Sequence, residues 1–185
     1  MCQFKSFIVT KSGDILYKYS SDSHEDIIKK YNLIDNTNDP DKMLLARVEI
    51  TPPDGNVFEN DLSKWNFKID QSIIPSWWSK KLEKKCFLVL EHYLSDVIIT
   101  GEHEHIEDKH GLYIRDAKIK TIKNSRVNEM LENSQVNEML ENSQVKIYSS
   151  DAKYKLNDDA IAIDKTDGNI IIKVSNPKIK LKVMK

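Results

Sequence analysis

The sequence predicts an N-terminal α+β domain over residues 1–96, followed over residues 97–185 by a short β-solenoid of nonapeptide repeats with capping strands at its C-terminal end. Three observations predict it. In the first half, segments of period-two hydrophobicity alternate with helical patterns. From Asp116 onward a motif of Asn or Asp, then Ser or Ala, then any residue, then a β-branched or aromatic one recurs at Asp116, Asn124, Asn133, Asn142 and Asp151, with spacings of eight, nine, nine and nine. Nine is also a period that no single helix face can hold.

The chain has 185 residues, 39% of them hydrophobic and 31% charged, a balance that supports a folded core. Lys plus Arg number 28 against 29 for Asp plus Glu, so no global charge drives binding to nucleic acid or an anionic membrane. The opening residues lack a signal-peptide layout, and no apolar run reaches the roughly eighteen residues of a span. A cytoplasmic protein is expected. Cys2 and Cys86 stand in different contexts, so a structural disulfide is not expected.

Phe4–Thr10 alternates as a strand, Lys11–Asp14 is a turn, and Ile15–Tyr19 is the returning strand. Ser23, three residues before Asp26, opens a short helix through Ile27, Ile28 and Tyr31. In Met43–Ile50 the residues Ala46, Val48 and Ile50 share one face and Arg47 and Glu49 the other. Pro52-Pro53-Asp54-Gly55 turns the chain, and Trp65, Phe67 and Ile69 mark another half-buried strand. After Pro75 and Ser76, Leu82, Cys86, Val89, Leu90 and Tyr93 form one stripe of an amphipathic helix.

Within the repeat, Asn128-Glu129-Met130-Leu131-Glu132 has helical propensity, so a helical hairpin is the competing reading and disorder a third. A helix carries nine residues through about two and a half turns, which sets successive repeats on opposite sides of it. Val127, Met130 and Leu131 would gather on one side, and Val136, Met139 and Leu140 on the other. Such a helix is apolar on both sides, with no single stripe to bury. Stacked coils avoid the conflict, each nonapeptide supplying a strand and a corner, with the valine position inward. Asn-Ser in place of glycine and aspartate excludes a calcium roll. Ile170–Val174 and Lys178–Val183 are the expected cap, and Lys173, Lys178, Lys180, Lys182 and Lys185 protect its edge or offer a phosphate patch.

Several segments together resemble a family of bacteriophage proteins with a Met-Cys-x-Phe-Lys-Ser start and C-terminal Asn-Ala/Ser-x-Val repeats. They are Met1-Cys2-Gln3-Phe4-Lys5-Ser6, Ser23-His24, Arg47-Val48-Glu49, Pro52-Pro53-Asp54-Gly55, Trp65, Asp70-Gln71, and Pro75 with Trp77. The resemblance brings no assigned activity. It implies phage origin and a role in the host cytoplasm outside core metabolism.

The candidate chemistry is sparse. Cys2 becomes an N-terminal nucleophile if Met1 is removed, but otherwise simply precedes an edge strand. His103 and His105, expected on one side of a strand opposite Glu102 and Glu104, could bind a metal with His110, or else lie in an exposed polar segment. His24 is expected as a solvated helix-start residue. Trp77 and Trp78, adjacent on the expected helix, cannot both face one core, which makes them, with Trp65, the binding candidates. The expectation is a non-enzymatic binding protein without a cofactor, taking a host protein or a small nucleotide. With phage origin, antagonism of a host defence is the role implied. The alternatives are an N-terminal-cysteine hydrolase or metal-dependent enzyme, and a structural homo-oligomer built through the repeats.

Overall fold

The computed structural model describes residues 5–35, 37–168 and 170–176. The chain divides into two compact units, Met1–Ser95 and Asp96–Lys185.

The first unit contains strands β1 (Lys5–Thr10) and β2 (Ile15–Leu16), helix α1 (His24–Lys30), strands β3 (Leu45–Thr51) and β4 (Asn66–Ile69), and helix α2 (Lys80–Val97). The sheet is antiparallel in the order β2-β1-β3-β4. Its register pairs Ile8 with Arg47 and Ser6 with Glu49, so these four side chains share a face. α1 covers one end of that face by packing Ile27 on Ile8 and Leu45. The Ser23 hydroxyl accepts from the Asp26 N–H and caps the helix as expected. The opposite face carries Phe67, which meets Phe87 of α2 at 6.0 Å. Along α2, Cys86, Leu90 and Tyr93 are buried, and burial pushes the Cys86 thiol up to about 12.

Two local expectations change. The strand expected over Ile15–Tyr19 pairs only at Ile15 and Leu16, because Tyr17 and Tyr19 leave the ladder to pack on Tyr93, with ring centroids 5.6 and 5.5 Å away. α2 starts at Lys80, not after Ser76. Trp77 and Trp78 therefore occupy a turn, closed by the Trp78 N–H to the Pro75 carbonyl at 3.0 Å.

The second unit is a β-solenoid. Its strands are β5 (Ile98–Glu107), β6 (His110–Lys123), β7 (Arg126–Leu131), β8 (Gln135–Leu140), β9 (Gln144–Ile147), β10 (Lys153–Leu156), β11 (Ile161–Asp164) and β12 (Ile171–Val174). Parallel pairing joins Lys118 to Gln135, Gln135 to Lys153, and Arg126 to Gln144, seventeen or eighteen residues apart. One turn of the coil thus spends two nonapeptides, and successive repeats lie on opposite sides. Registered residues stack into interior columns. Leu112, Val127, Val145 and Ala162 make one, and Ile106, Ile122, Met139 and Leu156 another. The valines point inward as the sequence predicts, and Met130 and Met139 join them, fully buried.

The corners need left-handed backbone. Asp116 and Asn124 adopt it, at φ 46° and 44°, as the motif predicts. In the next two repeats the slot moves back by one residue, to Glu132 and Glu141, at φ 50° and 55°. The serines turn inward. Ser125, Ser134 and Ser143 are buried, and their hydroxyls donate to the carbonyls of Lys123, Leu131 and Leu140 at 2.6–2.7 Å. Between rungs, the Lys109 N–H donates to Ser125 Oγ at 3.1 Å and the Ser125 N–H to Ser143 Oγ at 3.3 Å.

The coil begins earlier than the repeat motif, since β5 already pairs in parallel with β6 around corners at Gly101 and Asp108. It ends where β12 pairs antiparallel with β11. Lys178–Val183, the other expected capping strand, lies outside the described residues. Lys173 of β12 binds Asp164 at 2.8 Å, and with Thr166 it holds the Asp164 carboxyl down to about 2.

Ser143→Ala should lower stability by about 1–2 kcal/mol, since it strips a partner from two corner groups. Glu132→Gly should raise it by about 1 kcal/mol by relieving left-handed strain at a non-glycine residue. Urea denaturation of each variant checks both signs. Because the Asp164 carboxyl is depressed in the folded chain, its contribution is complete above about pH 4 and lost as pH falls toward about 2. Hydrogen-exchange protection of Ile171–Val174 should fall in that window while that of Leu112–Ile114 holds.

Candidate functional site

The sheet face that α1 leaves open forms the floor of a cleft of about 610 Å³, lined by His24, Glu25, Asp35, Arg47, Asp70 and Gln71 among others. β3 aims Arg47 and Glu49 at this face because its alternate residues Ala46, Val48 and Ile50 are taken by the core. Gln71 then imitates a neighbouring strand. Its Oε1 accepts the Arg47 N–H at 2.8 Å and its Nε2 donates to the Ile73 carbonyl at 2.6 Å. The Asp70 N–H donates to the Arg47 carbonyl at 2.9 Å, which fixes Asp70 just past the end of β4.

Carboxylates dominate the charge. Arg47 binds Asp35 at 2.6 Å and has Glu25 at 3.9 Å, so its guanidinium is already engaged. Lys68 binds one Asp70 oxygen, Oδ1, at 2.5 Å. The other, Oδ2, lies 3.8 Å from His24 Nδ1. Glu49 completes a group in which one ligand atom from each of His24, Glu49 and Asp70 lies within 4.8 Å of the others. Burial, then the neighbouring Asp70 carboxylate, pushes the Glu49 carboxyl upward. The Lys68 hydrogen bond leads the causes that hold Asp70 below the usual range.

His24 is not the solvated residue the sequence suggests. It is 7% exposed, with Nε2 3.1 Å from the Val48 carbonyl oxygen, because the first turn of α1 sits directly on β3. Nor do His103 and His105 share one side of β5. His103 pairs with the buried Ile119, while His105 pairs with Thr121 and is exposed, because the inward position after His103 goes to Ile106. His105 Nδ1 lies 2.6 Å from Thr121 Oγ1 and His103 Nε2 2.9 Å from the Thr100 carbonyl. His110 pairs with Arg126 at the start of β6. Among the described residues, His24, Glu49 and Asp70 are the group with metal-binding spacing.

Trp77 and Trp78 are both half-buried. The Trp77 indole N–H donates to the Met43 carbonyl at 2.7 Å, and Trp78 lies 6.0 Å from Phe67. Trp65 is buried, its N–H donating to the Glu59 carbonyl at 3.0 Å. Cys2 lies outside the described residues. Sequence reasoning missed Arg47, Glu49, Asp35 and Asp70 as site residues. The available signal was two charged residues on the polar face of a core strand, followed by Asp70-Gln71 directly after another.

No helix of the described residues is long and apolar enough to cross a membrane. No protein-family model, curated protein or solved structure matches the chain.

Proposed function

We propose that the chain is a non-enzymatic, phage-encoded binding protein whose α+β domain recognises a host protein while the solenoid supplies length and a surface for self-association. One observation carries the reading. His24, Arg47 and Asp70-Gln71, from three of the segments behind the phage resemblance and far apart in sequence, line a single cleft, with Glu49 of the second segment beside His24 and Asp70. Its electrostatics choose between the two ligand classes that the sequence leaves open. Glu25, Asp35 and Asp70 line the cleft with one arginine, and Asp35 already holds that arginine. A nucleotide phosphate meets repulsion there, whereas a lysine or arginine side chain of a partner protein meets complementary charge. Phage origin makes antagonism of a host defence the biological role.

A metal-dependent enzyme is the second reading, favoured by the spacing of His24, Glu49 and Asp70.

The test is affinity capture on immobilised full-length chain, followed by mass spectrometry of retained proteins and of metabolites released by acid. A host protein should be retained, and Glu25→Lys, which reverses a charge at the exposed rim, should weaken its retention by about tenfold or more in low salt. Retention of a nucleotide instead, or of nothing, overturns the reading.

A further inference from the structure

We propose that His24, Glu49 and Asp70 form a binding site for one divalent transition-metal ion, Zn2+ or Mn2+, with open coordination positions facing the cleft.

The His24 ring is held from one side by the backbone of β3. Its Nε2 lies 3.1 Å from the Val48 carbonyl oxygen. A carbonyl only accepts, so Nε2 carries a hydrogen, and the tautomer that a metal takes, with that hydrogen on Nε2, has its lone pair on Nδ1. Nδ1 faces Asp70 Oδ2 at 3.8 Å. A ring held by a backbone carbonyl on one nitrogen, with the other turned toward carboxylates, is how metal-bound histidines are oriented.

Asp70 is divided in the matching way. Lys68 holds Oδ1 and leaves Oδ2 toward the histidine. Glu49 brings the third ligand atom, all three lying within 4.8 Å of one another. With metal–ligand distances of about 2.1 Å, a tetrahedral ion places its ligand atoms about 3.4 Å apart. Closing the widest present spacing to that value shortens it by up to about 1.4 Å, shared between two side chains.

His24 is itself only 7% exposed, so the ring nitrogen turned toward the carboxylates is held in place by packing and is not free to swing into solvent. One imidazole with two carboxylates suits Zn2+ or Mn2+ better than Mg2+ or Ca2+, whose sites are built from oxygen alone.

The site stands whether or not the cleft recognises a host protein, and its test uses no partner. Full-length chain freed of metal by chelator dialysis is titrated with Zn2+ by calorimetry and with Mn2+ by electron paramagnetic resonance. One equivalent should bind, and the thermal midpoint should rise with it. His24→Gln, Glu49→Gln and Asp70→Asn should each weaken binding about tenfold or more. Asp70 is partly exposed, so its variant keeps the test sound if the buried His24 variant does not fold. Absence of saturable binding overturns the proposal. So does binding that survives Asp70→Asn but is lost in His103→Gln or His105→Gln, which moves the ion to the solenoid.

Discussion

A parallel coil that bends every eight or nine residues must carry backbone N–H and C=O groups around a corner where no strand partner receives them, and the buried serines solve that problem. The hydroxyls of Ser125, Ser134 and Ser143 turn into the coil and take up carbonyls of the strand just finished. Ser125 and Ser143 also accept an N–H from the preceding rung. Burying such groups unpaired would cost about 1–3 kcal/mol at each corner. Only a small side chain leaves space for the next rung to stack, which is why alanine holds the matching places at Ala117 and Ala160. With the corners satisfied, the rungs align and the interior columns of Val, Ile, Leu and Met follow.

The same geometry explains which parts of the solenoid are legible in the sequence. The nine-residue period and the inward valines can be read because both repeat. The methionines mislead: Val127 with Met130, and Val136 with Met139, have the three-residue spacing of a helix face. Here that spacing comes from strands that bend outward between the two. The corner residue is legible at Asp116 and Asn124 and hidden at Glu132 and Glu141. A one-residue-longer turn moves the left-handed slot there without altering the visible Asn-Ser motif. The first turn, built on Gly101 and Asp108, carries no Asn-Ser pair at all, so nothing in the motif announces it.

The cleft is less legible, for a different physical reason. Its residues are brought together by strand register and not by sequence spacing. Glu49 reads as the polar side of a half-buried strand, which it is, and Asp70 as the polar residue that ends the next. What makes them a site is the shortness of α1. Seven residues span about 10 Å, enough to cover Ile8 and Leu45 but not the end of the sheet face where Glu49 stands. His24, at the first turn of that helix, is thereby pressed onto β3 with its Nδ1 turned to the uncovered carboxylates.

The two units treat charge in opposite ways. On the solenoid, Glu102 meets Lys118, Glu104 meets Lys120, Glu107 meets Lys123 and Glu138 meets Lys155, at 2.9 to 3.7 Å. Such exposed pairs add little stability, but they cancel the field of a flat face and leave it without a preference for ions. In the cleft, one arginine and one lysine stand against Glu25, Asp35, Glu49 and Asp70. Carboxylates crowded onto a half-covered sheet weaken the fold unless a cation joins them. The solenoid thus neutralises its exposed face rung by rung, whereas the cleft of the first unit stays in deficit of positive charge, the deficit that the proposed cation would fill.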